Sequence, residues 1–289
     1  MAIGSEAALL LKYLSKHRSF NKTATFGRQA FAGGSVKNIF KKNKYKNLSI
    51  DNGFVENFLI ENMRATHVDS YDFSDYEGAT KIHDLSVEIN ESEIYDTLID
   101  LGTSEHIFNI SQSFLNAIKL TKINGMIIHE LPSNNFCGHG LYQLSPEFFF
   151  ALYNKDNGFD ETEIYVIDYT KINNPYVILL DKPHQGQRLY LHSMSELGLF
   201  VKTIKKSNAK NIKVFQDSYV KDWKDKKFLD IYTQNKFKKL EKYLFFKSLL
   251  FIYRYFKLIK IKNKIIFLFK SVTGNYKKKG KKIYFKDMV

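Results

Sequence analysis

Cysteine occurs once in 289 residues, at Cys137. A single thiol closes no disulfide within its own chain, and nothing in this usage calls for an oxidising compartment. The chain also lacks a run of about 18 uncharged apolar residues, so a conventional membrane-spanning helix is not expected. The stretch from Met1 to Leu11 is apolar. It has no basic region ahead of it and no clear cleavage site, so it reads as an opening helix rather than a signal peptide. A cytoplasmic protein is the expectation. A G-x-G-x-x-G fingerprint is missing too, which argues against a hydride-transfer dinucleotide fold.

Hydrophobic residues make up 44% of the chain, enough to build a core over most of its length. The formal net charge is +14, but it is unevenly placed. Residues 235–289 hold 17 of the 44 Lys/Arg residues and only two acids, Glu241 and Asp287, which leaves the remainder at a net −1. The basic character therefore belongs to a tail, and a nucleic-acid reading of the whole protein would mistake an appendage for the fold.

Helical and strand patterns alternate over the first two thirds. Helices are predicted at Glu6–Ser15, Gly53–Met63, Ser111–Leu120 and Glu147–Tyr153. In the third of these, Phe114, Leu115 and Ile118 form the apolar face. Strands are predicted at Thr23–Phe26, Thr66–Phe73, Thr80–His83, Tyr95–Leu101, Gly125–Leu131, Glu163–Tyr169 and Tyr176–Leu180. The order is that of an open, mostly parallel Rossmann-like α/β sheet with helices on both faces, spanning residues 1–234. Ligands of such sheets bind beyond the carboxyl ends of the strands.

Three strands finish near a carboxylate: Asp72 in VDSYD, Asp84 in KIHD and Asp100 in TLID. An acid at a strand end can hold a ribose diol. It can equally be a solvated turn acid or the cap of the next helix. The first loop, TATFGRQAFAGG, supplies Gly27, Gly33 and Gly34. Of these only Gly27 falls where the backbone would approach a ligand, and an ordinary turn remains open there.

Taken together, Asp72–Leu85 and Tyr95–Phe150 resemble class I S-adenosylmethionine-dependent methyltransferases. More narrowly, they resemble a bacterial subgroup associated with surface-polysaccharide gene clusters. PSNNFCGHGLYQLSPE (Pro132–Glu147) is the most specific part, followed by the Asp-Leu-Gly-Thr-x-Glu-His block, Asp100–His106. The resemblance implies S-adenosylmethionine as cofactor, with Gly27 by its methionine part, Asp72 by the ribose and Asp84 by the adenine. Asp100 is grouped with them as a cofactor residue. It further implies an O-methyltransferase whose acceptor is a sugar, nucleotide-linked or phosphoramidate-type precursor of a surface glycan. The first loop departs from the family, because acid-x-Gly-x-Gly-x-Gly is reduced to Thr-Phe-Gly-Arg-Gln. A non-catalytic binding or scaffold protein that kept the fold is therefore the alternative.

Methyl transfer to an alcohol requires a group that takes the acceptor's proton, and histidine suits that near neutral pH. His106 and His139 are the catalytic candidates, both after strand ends. His139 sits between Gly138 and Gly140, where backbone can approach a ligand; a loop histidine that fixes its own turn is the other reading. Asp100, Glu105 and His106 form a weaker metal-binding alternative. Some O-methyltransferases of the ubiquinone pathway carry a Glu-x-x-x-Glu-His block at the corresponding strand end, and the spacing here is one residue longer. Carboxylate and imidazole suit a hard or borderline divalent ion. Asn134, Asn135, Tyr142 and Gln143 offer neutral donors and acceptors for a polyhydroxylated substrate, though part of that set must satisfy loop backbone.

From Lys239 to Lys264 most basic residues recur at helical spacing, with Leu244, Phe245, Leu249, Phe251, Ile252, Tyr255, Phe256 and Ile259 on other faces. A basic amphipathic helix can lie on an anionic membrane, here the inner membrane surface. Packing on the core or in a homodimer is the equal alternative, with nucleic acid well behind, since no nucleic-acid-binding motif is present.

Overall fold

The computed structural model describes residues 2–31, 53–169, 176–184, 187–217, 219–220 and 280–284. The first helix, α1, is Ser5–His17. Its apolar stripe of Ala7, Leu10, Leu11 and Leu14 recurs at the helical period and is buried. Glu6 lies in its first turn and Lys16 and His17 in its last, each suited to the local end of the helix dipole. A fully buried leucine contributes about 1.5–3 kcal/mol, so the stripe decides which face of α1 meets the sheet.

Five strands run parallel: β2 (Asn21–Phe26), β4 (Ala65–Asp72), β5 (Lys81–Ile82), β6 (Tyr95–Leu101) and β7 (Thr121–Asn134). Beyond β7 lie β8 (Phe159–Asp168), β9 (Tyr176–Leu180), β10 (Leu197–Lys205) and β11 (Gly280–Tyr284). The spatial order is β11-β9-β8-β10-β7-β6-β2-β4-β5. β10 is antiparallel to both β7 and β8 and sits between them. A separate parallel pair joins β1 (Ala2–Ile3) to β3 (Ala30–Phe31). This is a Rossmann-like α/β sheet, parallel from β7 to β5 and antiparallel from β7 to β11, so the expected mostly parallel sheet holds for one half only. From β2 the chain first adds strands on one side, then crosses to the other. The order thus reverses between β2 and β6, the kind of point at which such sheets bind ligands.

Strand alternation sorts the core into two layers. Ile99 and Leu101 of β6, and Met126 and Ile128 of β7, pack with α1 and with α2 (Glu56–Met63). Leu98 and Ile127 pack on the other face with α3 (Ile110–Leu120) and α4 (Pro146–Leu152). Ser145 starts α4, its hydroxyl accepting from the Phe148 N–H at 3.3 Å, with Pro146 at the first helical position.

Several expectations need correction. The buried face of α3 carries Ser113, Phe114, Asn116, Ala117 and Leu120, whereas Leu115 is 40% exposed. Polar residues win the inner positions because they bond there. The Asn116 amide donates to the carbonyls of Leu85 (3.1 Å) and Val87 (2.8 Å), and its oxygen accepts from the Ile89 N–H (3.1 Å). The strand beside β7 is β10, which sequence patterning missed, and Tyr176–Leu180 lies farther out. Five residues of the basic segment form β11 on the sheet edge, where Lys282 Nζ lies 3.7 Å from the centre of the Tyr176 ring. The amphipathic pattern of residues 239–264, and Gly33 and Gly34 of the first loop, lie outside the described residues. Among the described residues no helix is long and apolar enough to cross a membrane.

Candidate functional site

β2 ends at Phe26, and Gly27 turns the chain with φ 67°, a value that disfavours any side chain. The Gly27 N–H donates to the Tyr71 carbonyl at 2.7 Å. The next N–H, of Arg28, reaches Asp72 Oδ2 at 3.3 Å, while the Phe73 N–H donates to Asp72 Oδ1 at 2.7 Å. The ends of β2 and β4 are thereby tied together at the two residues expected to border the cofactor.

Arg28 and Gln29, which follow the turn, are fixed by side-chain bonds. Arg28 pairs with Glu56 at 2.7 Å, donates to the Glu77 carbonyl and stacks 4.0 Å from the Phe54 ring centre. Gln29 is buried and donates through Nε2 to the Phe26 carbonyl at 2.8 Å and to Thr103 Oγ1 at 3.4 Å. Thr103 in turn donates to the same Phe26 carbonyl at 2.6 Å, which joins the first loop to the turn after β6. Gln29 Oε1 is buried without a hydrogen-bond partner among the described residues.

Asp84 takes the turn role. Its Oδ1 accepts from the Ser86 N–H at 2.8 Å, and this bonding holds its carboxyl below the usual range. Asp100 is a correction. It is completely buried, and its carboxylate is spent internally. Oδ1 accepts from the N–H groups of Thr103 (3.3 Å) and Ser104 (3.2 Å); Oδ2 accepts from the Ser104 hydroxyl (2.6 Å) and meets His129 Nδ1 at 2.8 Å. His129, also fully buried, reaches the Tyr153 hydroxyl through Nε2 at 2.6 Å. This Asp100–His129–Tyr153 chain points into the layer of α3 and α4, where His129 packs against Phe114 and Phe149. His129 was not singled out from the sequence, because the GMIIHEL pattern reads it only as one more strand residue.

The 3-10 turn Ser104–His106 then carries Glu105 and His106 to the rim. Glu105 is fully buried, yet neither carboxylate oxygen has a hydrogen-bond partner among the described residues. Burial, and then the nearby Asp100 charge, push its carboxyl up to about 8. Two imidazoles face it: His139 Nε2 lies 3.5 Å from Glu105 Oε1 and His106 Nε2 lies 3.8 Å from it. Both histidine side chains are open to solvent, at 56% and 42%. Burial, and then the neighbouring His139, lower the His106 pKa. The loop after β7 is clipped onto this turn, since the Glu105 carbonyl accepts from the Leu141 N–H at 2.7 Å. Gly140 (φ 73°) permits that approach: a Cβ there would stand 2.7 Å from Glu105 Cγ. The two predicted catalytic histidines thus meet around a third residue. In the expected metal set His139 stands where Asp100 was placed, because the Asp100 oxygens are taken.

The expected substrate residues chiefly brace loops. Asn134 and Asn135 donate to the Ser193 carbonyl at 3.3 and 2.8 Å, and Asn135 also donates to that of Ser195. Gln143 Oε1 accepts from the Phe136 N–H, and the Tyr142 hydroxyl donates to the Phe108 carbonyl at 2.7 Å. Deeper on β7, Glu130 accepts from the Tyr169 hydroxyl at 2.8 Å, and burial pushes its carboxyl up to about 7. A cavity of about 1030 Å³ opens elsewhere, at the amino end of β8, with Glu147, Asn154, Asp160 and Lys213 in its wall and none of the rim residues. That cavity's wall holds one buried acceptor without a hydrogen-bond partner among the described residues, Glu147 Oε1, whereas the rim gathers three, on Gln29 and Glu105.

No family model matches the sequence, and no curated protein matches it. Among solved structures, YcgJ of Bacillus subtilis is 7% identical over 70% of this chain and 99% of its own, with a TM-score of 0.37. The 1,6-didemethyltoxoflavin-N1-methyltransferase of Burkholderia thailandensis, solved with 1,6-didemethyltoxoflavin and S-adenosylhomocysteine, is 12% identical over 70% and 78%, with a TM-score of 0.37. Phosphoethanolamine N-methyltransferase 1 of Haemonchus contortus is 11% identical over 75% of this chain and 46% of its own, also at 0.37. Likeness at this level specifies no donor and no acceptor, and none of it indicates a surface-polysaccharide subgroup.

Proposed function

We propose that the chain is an S-adenosylmethionine-dependent methyltransferase acting on an oxygen acceptor, with a glycan precursor as the finer reading. The observation that carries this is one bonded line along the carboxyl ends of β4, β2 and β6. It runs from Asp72 to the Arg28 N–H and from the Gln29 side chain to Thr103, two residues ahead of Glu105, and it crosses the point where strand order reverses.

The acceptor set fits the cofactor. Gln29 Oε1 is a buried acceptor without a hydrogen-bond partner among the described residues, and S-adenosylmethionine brings cationic and N–H groups as well as ribose hydroxyls. Asp72 would hold the ribose diol with the acceptor capacity left beyond its two backbone bonds. Gly27 would leave room for the methionine part. Bound there, the cofactor supplies an electrophilic methyl group on a sulfonium. This chain's residues then orient the acceptor and take its proton; His106 and His139, the solvent-open groups of the rim, are placed to do so.

Calorimetric titration with S-adenosylmethionine and with S-adenosylhomocysteine tests the reading. Asp72→Ala should weaken either ligand at least roughly 10-fold, the cost of charge-assisted hydrogen bonds. No heat from either ligand at millimolar concentration would leave the scaffold alternative standing.

A further inference from the structure

We propose that Glu105, His106 and His139 form a binding site for one borderline divalent metal ion. The site rests on geometry alone; only its role, holding an acceptor oxygen beside the methyl donor, rests on the methyltransferase reading.

The three side chains come from two segments, the turn after β6 and the loop after β7. One ligand atom from each lies within 4.8 Å of the others. A tetrahedral ion with ligands at about 2.1 Å sets those atoms about 3.4 Å apart. The two carboxylate–imidazole separations, 3.5 and 3.8 Å, already lie close to that spacing. Closing the histidine–histidine edge requires only rotation of two solvent-open side chains.

A second observation is the condition of Glu105. A carboxyl group that is 1% exposed and has no hydrogen-bond partner among the described residues is expensive to keep. Its own turn offers ways to satisfy it that are not used. Thr103 donates to Phe26 instead, Ser104 donates to Asp100, and the neighbouring N–H groups of Leu141 and Tyr142 bond the Glu105 carbonyl. The backbone around the carboxylate is therefore arranged to hold its direction, toward two imidazoles, and not to satisfy its oxygens. A cation between those three groups supplies the missing partner.

The ligand set indicates which ion. Two imidazoles with one carboxylate favour a first-row ion such as Zn²⁺, Mn²⁺ or Co²⁺ over Mg²⁺ or Ca²⁺, which prefer all-oxygen sites. Three protein ligands on a solvent-open rim leave coordination positions for water or for an oxygen-bearing substrate. Polarising a hydroxyl is then the work of the ion, with the histidines as its ligands.

The test uses the full chain, stripped with a chelator and then titrated with Zn²⁺ against a chromophoric competitor, with Co²⁺ absorption as a second readout. Wild type should take up one ion per chain. Glu105→Gln, His106→Ala and His139→Ala should each weaken it at least roughly 100-fold, the upper range for loss of a supporting residue. His17→Ala and His67→Ala, at the last turn of α1 and the amino end of β4, should leave it unchanged. Circular dichroism checks folding; His106 and His139 are solvent-open, so their variants keep the fold. No uptake tighter than millimolar, or uptake unchanged in any one of the three variants, overturns the site. S-adenosylhomocysteine binding measured in parallel separates the claims. Ion bound without nucleoside removes the methyltransferase reading alone, and nucleoside bound without ion removes the metal site alone.

Discussion

Asp100 and Glu105 lie five residues apart, both completely buried, and the fold treats them in opposite ways. Asp100 receives three donors from Thr103 and Ser104 and a fourth partner in His129. Glu105 receives none on either oxygen among the described residues. A buried polar group that is fully bonded maintains structure, while one left bare at the edge of a crevice awaits a partner from outside. The contrast separates the interior of the site from its working surface more sharply than burial or residue type does.

The largest effect should follow from breaking the bonded member. Replacing His129 by Ala leaves the Asp100 carboxylate and the Tyr153 hydroxyl short of a partner. The loss is expected to be about 3–5 kcal/mol in urea unfolding, the range for removing one side of a buried pair. Glu105→Gln should instead cost less than about 1 kcal/mol, since it breaks no hydrogen bond seen among the described residues. Equal losses in the two variants would erase the distinction between them.

Next comes pH. Glu130 has its folded pKa raised to about 7, chiefly by burial. It therefore binds its proton more tightly folded than unfolded. Its contribution to stability is complete below the unfolded value, near 4.5, and is lost as pH rises through 7. Glu130→Gln should flatten that part of the stability profile by about 2–3 kcal/mol between pH 5 and 8. An unchanged slope would contradict the assignment.

Asn116→Ala should cost about 1–3 kcal/mol, because it strips three bonds from the 85–89 loop. Leu115→Ala, on the exposed side of α3, should stay within about 0.5 kcal/mol. The reverse order would restore the face that hydrophobicity alone selects.

That last pair shows where the sequence stops being legible. Strands with clean alternation or strong apolar runs could be read, and Tyr95–Leu101 has the expected bounds. The parallel half of the sheet follows from those strands and the helices between them. β10 could not be read in the same way: LGLFVKTIK is buried on both faces, so it lacks a period, and its antiparallel insertion depends on pairing with β7 and β8. In α3 the misreading came from treating Ser113 and Asn116 as surface residues, when their partners are supplied by loops far away in sequence. For the site, residue types at strand ends could be listed but not sorted. Asp72, Asp84 and Asp100 look alike in one dimension. In the fold one is at the rim, one closes a turn and one lies inside. The meeting of His139 with Glu105 and His106 joins residues more than 30 positions apart and depends on the Leu141 backbone bond, which no local pattern records.

The most direct measurement is hydrogen exchange with and without S-adenosylhomocysteine. Added ligand should protect amides of residues 26–30, 70–73 and 101–106, the rim where β2, β4 and β6 end, and leave residues 154–162 beside the cavity at the amino end of β8 unchanged. Protection confined to 154–162, with the rim unaffected, would contradict the placement of the site at the strand ends.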